Sequence, residues 1–427
     1  MTDRTKAPDI ARIKKLTIPE IDVYSLANGT RVCEANLGSQ DIIKIEIVHE
    51  AGRSCEDFPL VSRAVSSLIK DGCAGKNSQT IAEEIDYYGS SIRTASNLDF
   101  SFTTFYCLTK YASQGIDLLH EMYSTPVFPA DEIEKFKKLN IQKLREELTK
   151  NDVITYRQIT EEIFGKDHPY GYNSTENDYL RLSRDLLVSH FQDYYGSDNC
   201  YIFLSGKVTA EIRNQIGRVF GSVSHPSRKK EYHPCRIEPA SNKIRLYSRN
   251  EHQSSIKTGR RLFGKNHPDN VVFFLLNTIL GGYFGSRLMS SIREDMGYTY
   301  DIHSSMDQML HDGYFYVGTE AATEYVEPIL KEIYHQMDLL KTKKVGSKEL
   351  QMVKNYVMGN FMNMLDGPMN VGSFAKSMVM IGKQPRDFEQ FVDEMTEITP
   401  LKIMEAAHRY LNEDQMTEVI VSPQGNM

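Results

Sequence analysis

The chain has 427 residues, 40 % hydrophobic and 25 % charged, proportions of an ordinary folded protein that exclude disordered, collagenous and membrane-spanning classes. Fifty basic and 57 acidic side chains leave a net charge of −7, with no Lys/Arg-dense block, so neither nucleic acid nor an anionic membrane is expected as a partner. The length calls for roughly two to three domains at about 150 residues each.

No apolar run approaches the roughly 18 to 20 residues of a membrane helix. Residues 1–15 show no apolar stretch of the kind that opens a secretory signal, so the expected compartment is the cytoplasm. The six cysteines, Cys33, Cys55, Cys73, Cys107, Cys200 and Cys235, form no CxxC or CxxxC pair. They read as reduced, mostly buried thiols rather than a disulfide frame or thiolate metal site.

In chain order, residues 42–49 read as a strand leading to an apolar-striped helix over 58–70, with Gly72 as its C-cap. Thr80 and Glu83 read as a capping box opening a short helix that Gly89 closes. Residues 100–108 and 200–204 are strand-like, and 131–148 carries Ile133, Phe136, Ile141, Leu144 and Leu148 on one helical face. Residues 222–242, with three prolines, four basic residues and little periodicity, read as a linker between domains at 1–221 and 243–427. Beyond it a strand over 255–263 leads to a helix over 269–280, 314–317 is strand-like, and 347–365 carries Leu350, Val353, Val357, Phe361 and Met364 on one face. Two helix pairs recur at offsets of about 212 and 216 residues, which predicts a duplicated α+β unit: two domains, each a mainly antiparallel sheet covered by helices.

The sequence FPLVSRAVSSLIKDG at 58–72, AGRSCED before it and IAEEIDYYGSSI after it resemble the insulinase/pitrilysin zinc peptidases, and the likeness covers nearly the whole chain. That resemblance implies two halves facing each other as a half-clamshell. In the family, this helix carries HxxEH, two zinc-binding histidines and a water-polarising glutamate. Counted back from Gly72, those places fall on Arg63, Ser66 and Ser67. Zinc needs neutral imidazoles or anions, and serine hydroxyls are poor substitutes. A guanidinium is worse: like unit charges about 4 Å apart repel by about 4 kcal/mol at an effective dielectric of 20, and a dication doubles this. The family's third ligand, a glutamate, falls near Leu144, with Glu146 and Glu147 nearby as a solvated pair. No HxxEH, HExxH or HxxxH pair occurs elsewhere among the twelve histidines. No metal or other cofactor is therefore expected in this chain.

The segment LGGYFGSRLMSSIREDMGYTY at 280–300 is the most specific match. The resemblance implies a second-domain arginine and, seven residues later, a tyrosine that hydrogen-bond the scissile carbonyl; here these are Arg293 and Tyr300. Leu288 and Ile292 would anchor the helix and Gly297 would cap it, letting the pair converge across the turn. Arg287 reads as a structural brace.

The resemblance therefore implies the non-zinc subunit of a heterodimeric zinc endopeptidase acting on peptides or unfolded segments, with zinc, its ligands and the general base supplied by an HxxEH-bearing partner of similar length. An alternative is an inactive peptide-binding or structural scaffold like the core subunits of the respiratory cytochrome complex. A third reading is a self-sufficient peptidase with an unrecognised metal site. The isolated chain has homodimerisation open to it.

Overall fold

Alternation along residues 42–49, IIKIEIVH, gives a strand with two differently loaded faces, Ile43, Ile45 and Ile47 on one and Lys44 and Glu46 on the other. In the computed structural model, which describes residues 16–222, 225–228, 242–248 and 253–424, this strand is central to a six-stranded sheet. The sheet contains β1 (Asp22–Ser25), β2 (Arg31–Ala35), β3 (Ile42–His49), β4 (Ser91–Ser96), β5 (Ser101–Leu108) and β6 (Cys200–Gly206) in spatial order β1-β2-β6-β3-β5-β4. All neighbours are antiparallel except β2 and β6. A second sheet contains β7 (Lys243–Ser248), β8 (Ser254–Leu262), β9 (Thr299–Gln308), β10 (Gly313–Ala321) and β11 (Thr417–Pro423), in order β7-β11-β8-β10-β9. Only β7 and β11 are parallel. Without β1, the two sheets match strand for strand in order and direction, so the predicted α+β duplication is present.

One face of each sheet is covered by helices of its own half. The first core packs helix α1 (Val61–Leu68) and helices at Ala112–Ser124 and Ala210–Phe220 over Ile43, Ile45 and Ile47. The second packs α4 (Asn270–Gly281) and helix Val326–Thr342 around Phe315 and Ile256. In each half a long helix, α2 (Ala130–Glu147) or α5 (Ser347–Met364), is followed by another, α3 (Asn151–Phe164) or α6 (Pro368–Val379).

These following helices are exchanged. Helix α3 lies on β8 and β11 of the second sheet, and α6 lies on β6 and β2 of the first. At Gly372 a Cβ would stand 1.7 Å from Ser205 Oγ, so only glycine lets α6 come this close to β6. Lys44 of β3 donates to Met369 O (3.2 Å) and Ser373 Oγ (2.9 Å) of α6, and Lys376 pairs with Glu46. At the equivalent place in the other half, Lys257 of β8 pairs with Asp152 of α3.

Several local expectations are corrected. Gly72 opens a two-residue strand instead of capping α1, whose C-cap is Ile69. The N-cap of helix Ser78–Tyr87 is Asn77, which accepts from Thr80 N, because a side-chain amide oxygen reaches the orphan N–H groups from one position outside the helix. Leu148 and Met364 end their helices 39 % and 38 % exposed, past the edge of the core. The expected linker and Cys235 fall mainly outside the described residues, as do residues 1–15; the five described cysteines are free thiols. Among the described residues no helix is long and apolar enough to cross a membrane.

Candidate functional site

Helix α1 starts where the chain turns through Leu60 at φ 69°. Its first-turn donors are met by a carboxylate six residues back: Glu56 Oε1 accepts from Ser62 N (3.0 Å) and Ser62 Oγ (2.6 Å), and Tyr172 holds the other oxygen. A negative charge at a helix N-terminus also opposes the macrodipole. The three motif positions lie on this helix. Arg63 Nη2 donates to Asn140 Oδ1 on α2 at 3.0 Å, and Asn140 is oriented by its own bond to Phe136 O (2.8 Å). Ser66 is 1 % exposed and shares hydrogens with Ser101 Oγ (2.7 Å) and Tyr195 OH (3.3 Å). Ser67 is half-buried.

The place expected for the third ligand holds Leu144, buried in the first core. Glu146 and Glu147 point along the helix surface toward Lys150 (4.0 Å) and Lys143 (3.7 Å). A guanidinium, two hydroxyls and an isobutyl group do not fit zinc, since none is an anionic or imidazole donor. Among the described residues no three His, Cys, Asp or Glu side chains are grouped to hold a metal ion.

The second-half positions are built differently. Ile292 and Leu288 are fully buried and fix the expected helix, whose residues 289–295 wind as a π-helix, a form frequent at functional sites. Met296 N reaches Ser291 O (3.0 Å) and Gly297 turns the chain at φ 69°. Arg293 leaves the π-helix with its guanidinium 4.7 Å from the centre of the Phe284 ring, a cation–π contact. Among the described residues it makes no ion pair. Tyr300 stands at the start of edge strand β9, 89 % exposed, beside a register shift between Thr299 and Ile302. No hydrogen bond joins Arg293 to Tyr300; among the described residues the donors of each have no hydrogen-bond partner. Arg287 forks onto Glu349 of α5 through Nε (2.8 Å) and Nη2 (3.0 Å), the brace expected of it.

Sequence reasoning missed Glu56, Asn140 and Phe284. Phe284 sits within the matched glycine-rich segment, and an aromatic nine residues before an arginine carries no periodic signal. Glu56 and Asn140 act across turns and between helices.

Two duplicated sheet-and-helix halves give the fold of the half-clamshell metallopeptidases, and the positions of their zinc motif hold no metal donor here. The comparisons give the same class. Residues 181–357 match the Peptidase M16 inactive domain family. The chain is 22 % identical over 414 residues to "Uncharacterized zinc protease YmxG" of Bacillus subtilis, covering 95 % of this chain and 98 % of that one. It is 21 % identical over 312 residues to "Non-peptidase homolog YmxG" of Helicobacter pylori, 70 % of each chain. The crystal structure of a peptidase M16 inactive domain from Pseudomonas fluorescens superposes with a TM-score of 0.85 at 21 % identity, covering 95 % of this chain and 99 % of that one. The periplasmic protease PqqL from Escherichia coli superposes with a TM-score of 0.78 at 15 % identity, covering 99 % of this chain but 49 % of that one. The resemblance read from the sequence is borne out: residues 181–357 match the M16 inactive domain, and along most of its length the chain is similar to M16-like proteins in sequence and in fold.

Proposed function

We propose that this chain is the non-zinc subunit of a two-chain endopeptidase acting on peptides or unfolded segments, and that Arg293 and Tyr300 hydrogen-bond the scissile carbonyl as it becomes an oxyanion. The observation that carries the reading is a contrast within one molecule. The motif positions Arg63 and Ser66 are tied into the fold by Asn140, Ser101 and Tyr195, whereas Arg293 and Tyr300 keep their donors for something outside it. Donors in such positions are worth about 2.7 to 4 kcal/mol each in comparable acyl-transfer sites. Edge strand β9 supplies main-chain groups to which an extended peptide can add. The partner would be an HxxEH chain of similar length bringing metal and base; a relative fold in which this chain spans about half of a longer protease supports a second unit of this size. The reading keeps the chain in the cytoplasm, where the five free thiols stay reduced.

The test is reconstitution with an HxxEH chain encoded beside this one. Neither chain alone cleaves a quenched peptide, and the pair does. In the pair Tyr300→Phe lowers kcat by about 10² or more, as removal of a single oxyanion donor does. An unchanged kcat would sink the catalytic role and leave the peptide-binding scaffold, a reading supported by the "non-peptidase" name of the Helicobacter pylori relative. Stoichiometric zinc in the purified single chain would instead favour the self-sufficient peptidase.

A further inference from the structure

Where β3 ends and β6 begins, at His49 and Cys200, lies a cavity of about 540 Å³, within the range of small-molecule sites. Its floor is His49 at the end of β3, and its walls include Tyr123, Tyr195, Phe191 and Phe128. His49 is 2 % exposed, with its ring stacked against Tyr123 (centroids 5.4 Å, 23°) and tilted against Tyr195 (4.7 Å, 34°). Among the described residues neither its Nδ1 nor any other atom of the ring has a hydrogen-bond partner. A buried imidazole left in this way costs free energy that a ligand group could recover. None of the described residues lining the cavity is Asp, Glu, Lys or Arg, so among them a charged guest would lose its hydration with nothing to replace it.

We propose that this cavity binds a neutral, flat heteroaromatic molecule, which stacks among Tyr123, Tyr195 and Phe191 and exchanges one hydrogen bond with the His49 ring. Aromatic walls favour a flat guest through offset and edge-to-face packing. A neutral imidazole offers one donor and one acceptor, so a guest carrying both an N–H and a bare ring nitrogen matches either tautomer. The site is one of binding and not of nucleophilic chemistry. Burial holds His49 down to about 3 and pushes the neighbouring Cys200 thiol up to about 12, so no thiolate–imidazolium pair forms. Ser66, where the family has its glutamate, hydrogen-bonds the Tyr195 hydroxyl and so steadies one wall.

The probe is benzimidazole, uncharged at pH 8, titrated into the full chain by saturation-transfer NMR and calorimetry. Saturable one-to-one binding at millimolar or tighter affinity is expected. It should fall at least tenfold in His49→Phe, which keeps the ring and loses the nitrogens, and in Gln192→Trp, which blocks the exposed rim. Absence of saturable binding to the unmodified chain, or unweakened binding in either folded variant, overturns the proposal. If His49→Phe does not fold, Gln192→Trp decides it.

Discussion

A buried serine where the family has a charged base has consequences that magnitudes can separate. Ser101 and Tyr195 are 2.7 Å apart and satisfy each other without Ser66, so Ser66→Ala should cost only about 0.5 to 1.5 kcal/mol, the net worth of an ordinary hydrogen bond. Ser66→Glu is different, because it forces a carboxylate into a 1 % exposed site with hydroxyls but no cation bonded there. It should cost several kcal/mol, the effective penalty for an unpaired buried charge. Urea denaturation of the two variants measures this; equal stabilities would mean the site is looser than drawn. Restoring HxxEH at 63, 66 and 67 should accordingly fail to create a metallopeptidase, since Leu144 still supplies no third ligand. Elemental analysis of the triple variant checks that outcome. At the other site Arg293 rests on the exposed ring of Phe284, a contact worth about 0.5 to 1 kcal/mol. Arg293→Ala should therefore leave stability nearly unchanged while lowering kcat of the reconstituted pair.

At the scale of elements, the exchanged helix α6 is held to the first sheet by a buried charge cluster. Lys44 lies 2.7 Å from Glu46 Oε2, both side chains nearly inaccessible, as an electrostatic contact and not an aligned hydrogen bond. Lys376 crosses from α6 to the other carboxylate oxygen. Burial alone would raise the Glu46 carboxyl, but Lys376 and Lys44 outweigh it and hold the group below the ordinary carboxylate range. Burial lowers Lys44, and Glu46 only partly offsets that. A carboxylate with a depressed folded value contributes stability above its unfolded pKa and loses it as pH falls through the folded value. The α6 contact should thus weaken in acid, below about pH 4.5. Glu46→Gln leaves two cations without their anion and should cost roughly 3 to 5 kcal/mol at neutral pH. It should also flatten the acid limb of stability against pH, and denaturation across pH 3 to 7 reads both effects.

For the whole molecule, the exchange means that neither half is closed on itself. The first sheet needs Ala375, Val379 and Met380 from the second half against Cys33, Val48 and Phe203. The second needs Ile159, Ile163 and Phe164 from the first against Tyr314 and Val419. Separating the chain within residues 229–241 should therefore give halves that aggregate alone and co-purify as a one-to-one complex when expressed together. Size-exclusion chromatography decides this: two monomeric, cooperatively folding halves would show that the exchange is dispensable. In the proposed two-chain peptidase, motion about the substrate chamber would fall between this chain and the proposed partner, because the two halves of the chain are clasped by α3 and α6.

Much of this was legible in one dimension. Strand 42–49, the helices at 131–148 and 347–365, and the duplication follow from apolar period and offset, which local backbone geometry converts directly into elements. The loss of metal chemistry at Arg63, Ser66 and Ser67 was equally readable, since donor character belongs to the side chain and not to its surroundings. Lys44 and Glu46 carried an unread signal, two charges on the same face of an otherwise apolar strand, meaning that face had to meet a polar partner. The partner itself, α6, lies more than 300 residues away, and periodicity carries no information about which distant surfaces meet. The same holds for Arg293 over Phe284 in a π-helix, for Asn140 facing Arg63, and for the unbonded His49. Sequence determined which chemistry each position can offer and which local shape it takes; only the tertiary structure decided which groups satisfy one another and which are left open, because satisfaction depends on contacts formed between segments remote in the chain.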